Sequence, residues 1–132
     1  MNMDSPDKHP HKNRRISEAF SHAFAGIFDA FKTERNLRFH TFTAILVIIV
    51  AAILRVSVSD WCWLILAIAL VIAAELLNTS IEAAVDAAVG NRYDAHAKKA
   101  KDTAAGVVVV CAIFAVIIGL IVFVPRLLML IK

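Results

Sequence analysis

From Thr103 to Pro125 the chain runs for 23 residues without a charged side chain, bounded by Asp102 and Arg126. An α-helix needs ~20 apolar residues to cross the ~30 Å hydrocarbon core of a bilayer. In hydrocarbon each backbone N–H and C=O must be paired within its own segment, so a lone span of this kind is confined to helix. The rest of the sequence agrees. Of 132 residues, 60% are hydrophobic and 19% charged, beyond the ~45–50% apolar content of ordinary soluble domains. The expectation is one all-α integral membrane domain over residues 1–132. The net charge of +3 does not argue for nucleic acid, because a chain that buries most of its length in apolar runs has little basic face to offer.

Two more spans are expected. The uncharged stretch Thr41–Leu54 is only 14 residues, but Leu37, Phe39 and Val56 extend it to about 37–56, with Arg38 and Arg55 snorkelling at its ends. The next span runs from about 60 to 89, with Trp61 and Trp63 as interfacial aromatics and Gly90-Asn91 as a helix stop. The third covers about 103–125, where Gly106 and Gly119 permit close helix contact without forming a GxxxG pair. Ahead of them, Ile16, Phe20, Phe24, Ile27, Phe28 and Phe31 recur at helical spacing, with Glu18, Ser21, His22, Asp29 and Lys32 on other faces. Residues 16–32 thus read as an amphipathic surface helix in the membrane interface, capped by Ser17 or the residues before it. Residues 1–14, with two prolines and many charges, read as a disordered tail without a secretory leader. Cys62 and Cys111 sit inside apolar runs as buried thiols, outside any disulfide or metal-ligand pattern.

Lys and Arg set the orientation. Lys8, Lys12, Arg14, Arg15, Lys32, Arg35 and Arg38 precede the first span, and Arg92, Lys98, Lys99 and Lys101 lie in the later loop. Three crossings put both regions on one side, so the N-terminus and the 90–102 loop are expected in the cytoplasm.

Within the second span the sequence breaks its own apolar rule. Glu75, Asn78, Glu82 and Asp86 are three, four and four residues apart, which at ~100° per residue returns them to one helix face. Ionisable groups at membrane depth are expensive and usually functional. Two further clusters would meet them at the cytoplasmic boundary: Glu34 with Arg35 and Arg38, and Lys98, Lys99 and Lys101 with Asp102. Carboxylates beside lysines suit a cation-assisted phosphate site, since Mg²⁺ takes one or two carboxylates and completes its shell with phosphate and water. The only glycines are 26, 90, 106 and 119, so neither a P-loop nor a protein-kinase glycine loop is available. Spacing alone leaves three readings open: phosphate chemistry, a proton relay or other non-enzymatic membrane subunit, and structural ion pairing.

The run Glu75-Leu-Leu-Asn78-Thr-Ser-Ile-Glu82-Ala-Ala-Val-Asp86, with Ala97-Lys-Lys-Ala-Lys101-Asp102-Thr-Ala-Ala-Gly106 and Gly26-Ile-Phe-Asp-Ala-Phe-Lys32-Thr-Glu34-Arg35-Asn36, closely resembles the signature of the small prokaryotic diacylglycerol kinase and undecaprenol kinase family. The resemblance covers about residues 14–125. It implies a surface helix and three spans assembled as a homotrimer in a bacterial plasma membrane, with active sites shared between subunits. It also implies phosphorylation of a lipid hydroxyl, with ATP as co-substrate and Mg²⁺ as cofactor.

Matched residue by residue, the resemblance makes Glu75 the general base. Glu34 and Glu82 become the metal carboxylates, and Arg15, Glu34, Glu82, Lys101 and Asp102 the ATP-binding set. Asn78 and Asp86 are supporting polar residues, while Glu75, Arg35 and Asn36 meet the lipid. The 90–96 loop aligns poorly, so Arg92, Tyr93 and Asp94 take no assignment, nor do His22, His40 and His96. The Lys32-Thr-Glu-Arg-Asn-Leu-Arg38-Phe-His40 stretch looks more like the undecaprenol kinase branch, which makes undecaprenol the expected substrate and diacylglycerol the alternative.

Overall fold

The computed structural model describes residues 16–90 and 92–131. Arg15 and the 1–14 tail lie outside the described residues. Four helices follow in order: α1 (Ile16–Thr33), α2 (Arg35–Ile53), α3 (Val58–Val89) and α4 (Ala95–Ile131). Three of them, α2, α3 and α4, are long and apolar enough to cross a membrane.

One extended residue, Glu34 (φ −91°, ψ 114°), separates α1 from α2. The backbone stays stitched across it, with Glu34 N–H donating to Ala30 O at 2.8 Å and Arg38 N–H to Glu34 O at 3.3 Å. The Arg38 guanidinium adds a bond to Lys32 O at 2.5 Å. The joint is a tight elbow rather than a loop.

Helix α2 ends at Ile53, before the expected limit at 56, because the chain turns at Arg55, which takes a positive φ of 48°. Helix α3 then starts with a capping box. Asp60 N–H donates to Ser57 Oγ at 3.2 Å, and Ser57 N–H donates to the Asp60 carboxylate at 3.2 Å. Such reciprocal bonding satisfies two of the backbone donors a helix start leaves free. At the other end Gly90 caps α3 with φ 60°, its N–H bonded to Asp86 O at 2.9 Å. Asp94 starts α4 by accepting Ala97 N–H at 2.8 Å.

Helix α4 does not stop at Pro125 but continues to Ile131. Proline removes one backbone donor, the one Ile121 O would accept, and the next carbonyl, Val122 O, takes an added bond from the Arg126 guanidinium at 2.7 Å. The same side chain pairs with Asp60. Helices α3 and α4 form an antiparallel pair that makes most of the tertiary contact, with α2 against α3 and α1 touching both α2 and α3.

Packing residues recur at steps of three and four along α3 (Leu64, Ala67, Val71 and Ala74), and pairs four apart face them on α2 (Val47 and Ala51) and α4 (Ala104 and Val108). This is the spacing of interlocking helix seams. The densest core (Ala51, Val56, Leu64 and Val122) lies at the Asp60–Arg126 end. Trp61 packs against it rather than standing free in an interface, while Trp63 is exposed. Both cysteines are free, but Cys62 is exposed on the helix surface and not buried as expected.

Candidate active site

The polar stripe of α3 starts ~22 Å along the helix from Asp60, at 1.5 Å per residue. Glu75 is 3% exposed and is the one buried charged side chain among the described residues. It occupies the seam of α3, one residue beyond Ala74, where the residues facing α2 are otherwise apolar. A carboxylate there needs a partner, since an uncompensated charge away from water is strongly unfavourable. His40 of α2 supplies one: its Nε2 lies 3.2 Å from Glu75 Oε1. Glu34 from the elbow and Glu82 from farther along α3 lie close enough to act electrostatically on the same carboxyl group.

Glu34 occupies the N-cap position of α2, yet its side chain makes no capping bond. Its carboxylate is therefore not consumed by the helix start. Half-buried Glu82 accepts a hydrogen bond from Asn78 Nδ2 at 3.0 Å. Asn78 Oδ1 is buried and has no partner among the described residues, which leaves an unmet acceptor beside the carboxylates. One turn beyond Glu82, Asp86 accepts from Lys101 Nζ at 2.9 and 3.1 Å, across the α3–α4 pair. That bond raises the Lys101 ammonium above its ordinary pKa, so the lysine stays charged. Lys101 precedes the uncharged run of α4 and also feels the charge of Glu82.

The structure thus brings Glu34, Glu75, Asn78, Glu82, Asp86 and Lys101 to one end of the bundle. It does not gather all the residues expected. Asp102 pairs with Lys98 one turn back on α4, and both side chains are exposed. Arg35 and Asn36 are exposed in the first turn of α2. Arg15 lies outside the described residues. Among the described residues no three His, Cys, Asp or Glu side chains are already gathered around a metal position.

His40 is the site residue that sequence reasoning missed. Its signal was its place on the α2 seam: it lies three residues after Leu37 and seven before Val47, a polar ring on an apolar stripe. Asp94, in the loop left without assignment, serves as a helix cap.

Two apolar hollows flank this end of α2. One, about 450 Å³, lies between α1, α2 and α3 and is lined by Phe24, Phe28, Phe31, Leu37 and Leu76. The other, about 620 Å³, lies between α2, α3 and α4, bordered by His40 at one end and running past Val47 and Leu64 to Phe123 and Leu127.

Residues 21–123 match the family model for prokaryotic diacylglycerol kinase. The undecaprenol kinase of Bacillus subtilis is 41% identical over 125 residues, covering 95% of this chain and 100% of its own length. A diacylglycerol kinase of Synechocystis is 46% identical over 110 residues, 83% of this chain and 63% of that protein. The diacylglycerol kinase of Escherichia coli is 32% identical over 103 residues, 78% of this chain and 84% of its own. With a family model matched over most of its length and a 41% identical relative aligned nearly end to end, the chain belongs to the prokaryotic diacylglycerol kinase family.

Proposed function

We propose that this lipid kinase transfers the γ-phosphoryl group of MgATP to the hydroxyl of undecaprenol, giving undecaprenyl phosphate and ADP. The observation that carries the reading is the buried carboxyl of Glu75, in the electrostatic field of Glu34 and Glu82, at the end of an otherwise apolar bundle. The choice of lipid rests on the Bacillus subtilis undecaprenol kinase, which this chain matches along almost all of its length, and on the run from Lys32 to His40.

In this reading Glu75 accepts the proton of the lipid hydroxyl as its oxygen attacks the γ-phosphorus. The new O–P bond forms as the bond to the ADP oxygen breaks. A base within hydrogen-bond reach of the proton it takes is worth ~10²–10⁴-fold in rate. Lys101 offsets charge on the transferring group, and Asp86 holds the lysine where it can do so. Asp102, Arg15, Arg35 and Asn36 would complete the nucleotide and lipid contacts, Asp102 by giving up its Lys98 partner. The apolar hollow bordered by His40 supports a lipid partner, because it lets an alkyl chain lie along the bundle with its hydroxyl near Glu75.

The donor set fits Mg²⁺. Glu34, Glu82 and the unmet Oδ1 of Asn78 are all oxygen donors, the kind a hard divalent cation prefers. Glu34 and Glu82 would hold the ion, leaving phosphate and water to complete its shell. When bound, it would neutralise phosphate charge and align the γ-phosphoryl group.

Assembly follows the same reading. Large side chains such as Phe39, Phe42, Ile113 and Ile121 are exposed along α2 and α4, which supports burial against lipid and against other copies of the chain in a homotrimer. Helix α1 lies in the interface, and the basic N-terminus and 90–102 loop face the cytoplasm of a bacterial cell.

A second reading keeps the chemistry and changes the lipid. The 46% identical Synechocystis relative is named a diacylglycerol kinase, so phosphatidic acid is the alternative product. Purified protein in detergent, given labelled ATP, Mg²⁺ and either undecaprenol or diacylglycerol, decides between them. The expected result is a higher kcat/KM for undecaprenol. Preferential labelling of diacylglycerol overturns the substrate assignment, and labelling of neither overturns the kinase reading.

A further inference from the structure

We propose that His40 is the positioning residue for Glu75: its ring nitrogen holds one carboxylate oxygen toward α2 and so presents the other to the substrate hydroxyl. The inference rests on the reading of Glu75 as the base, and it adds a residue from a different helix to that site.

Three observations carry it. The first is proximity. His40 Nε2 lies 3.2 Å from Glu75 Oε1, and no other side-chain nitrogen among the described residues comes within ion-pair distance of that carboxyl. Oε1 is the carboxylate oxygen on the His40 side, so it is the one the ring can hold.

The second is constraint. Glu75 is almost completely buried, and His40 keeps only 22% of its side-chain surface. The imidazole also meets Phe39 edge-on, with ring centroids 5.5 Å apart and planes at 73°. A half-buried ring braced in this way restricts the carboxyl group it contacts. A solvated lysine in its place would not, because its long stem keeps its rotamer freedom.

The third is location. His40 also borders the apolar hollow between α2, α3 and α4, whose α3 wall includes Val71 and Ile72, one turn before Glu75. The ring therefore stands where an alkyl chain meets the carboxyl group. In that position it can fix which way Glu75 faces without touching the nucleotide.

Glutamine carries an N–H the same number of bonds from Cβ as His Nε2, so it can hold the same oxygen without an imidazole ring. Full-length protein in detergent, with undecaprenol and MgATP, is expected to lose about tenfold to a hundredfold in kcat in His40→Ala, the loss typical of a misplaced reacting group. The KM for ATP stays unchanged, and His40→Gln recovers most of the lost turnover. A wild-type kcat in His40→Ala, or a His40→Gln variant as slow as His40→Ala, overturns the assignment.

A readout independent of turnover accompanies these assays. In ¹⁵N-histidine-labelled protein, Glu75→Gln is expected to shift the His40 ring nitrogens and leave those of His22 and His96 in place. Unmoved His40 resonances overturn the pairing. If the wild-type protein phosphorylates no lipid alcohol, the kinase reading fails, and the ring-nitrogen shifts still decide whether His40 and Glu75 are coupled.

Discussion

Asp60 in the first turn of α3 is paired with Arg126 near the end of α4, 66 residues later in the chain. The pair sits opposite the candidate site, where it ties the capping box of α3 to a guanidinium that also bonds Val122 O, in the turn of α4 that contains Pro125. One arginine thus joins the start of α3 to the late turns of α4. Arg126→Ala is expected to lower the unfolding temperature in detergent more than Ser57→Ala does. Loss of the Ser57 cap alone amounts to about 1 kcal/mol. Both variants should keep the wild-type KM for ATP, since neither residue touches the far end. Thermal unfolding with parallel kinase assays checks this, and a larger loss in Ser57→Ala would contradict it.

Glu75→Gln keeps the size of the side chain and removes its ability to take a proton. Turnover at saturating ATP is expected to fall by at least ~10²-fold, the scale of a positioned general base. Nucleotide binding, measured by equilibrium titration, should change little. Normal lipid phosphorylation in this variant would remove Glu75 from the role of base.

Glu34→Ala and Glu82→Ala each remove one oxygen donor from the proposed metal position. The expected outcome is a higher Mg²⁺ concentration for half-maximal activity, with the greater disturbance in Glu82→Ala, which also strands the Asn78 amide. Mg²⁺ titrations at fixed ATP test the ligand roles. Identical metal curves for wild type and both variants would count against them.

Lys101→Ala removes the proposed charge-assisted contact to phosphate. It is expected to raise the KM for ATP by about tenfold, the scale of one such bond. Asp86→Asn loosens the lysine without removing it, so its effect should be smaller and in the same direction. If Lys101 acts only through Asp86 as a structural tie, the two variants will behave alike, and steady-state kinetics at varied ATP separates the cases.

Much of this arrangement was legible in the sequence because it is local. The face shared by Glu75, Asn78, Glu82 and Asp86 follows from helical periodicity, and its outcome is visible in the Asn78–Glu82 bond. Gly90 marks the end of α3 because a positive φ favours a residue without Cβ. The three long apolar helices follow from the need to pair the backbone within hydrocarbon.

What spacing could not reveal depends on contact between helices. His40 meets Glu75 only because the seams of α2 and α3 are in register, and Asp60 meets Arg126 through the α3–α4 hairpin. Competition between near and far partners was equally hidden. Asp102 was grouped with the site by its place in the chain, yet it bonds Lys98 on its own helix, while Lys101 reaches across to Asp86. Pro125 looked like a terminus because the uncharged run ends there, yet α4 continues through it to Ile131.

The single extended residue between α1 and α2 has one more consequence. The carboxylate proposed to hold the metal stands on a joint with no slack. Each residue added or removed there would reset α1 against α2 and shift Glu34 relative to Glu82. The length of that connection therefore belongs to the proposed centre as much as the side chains do.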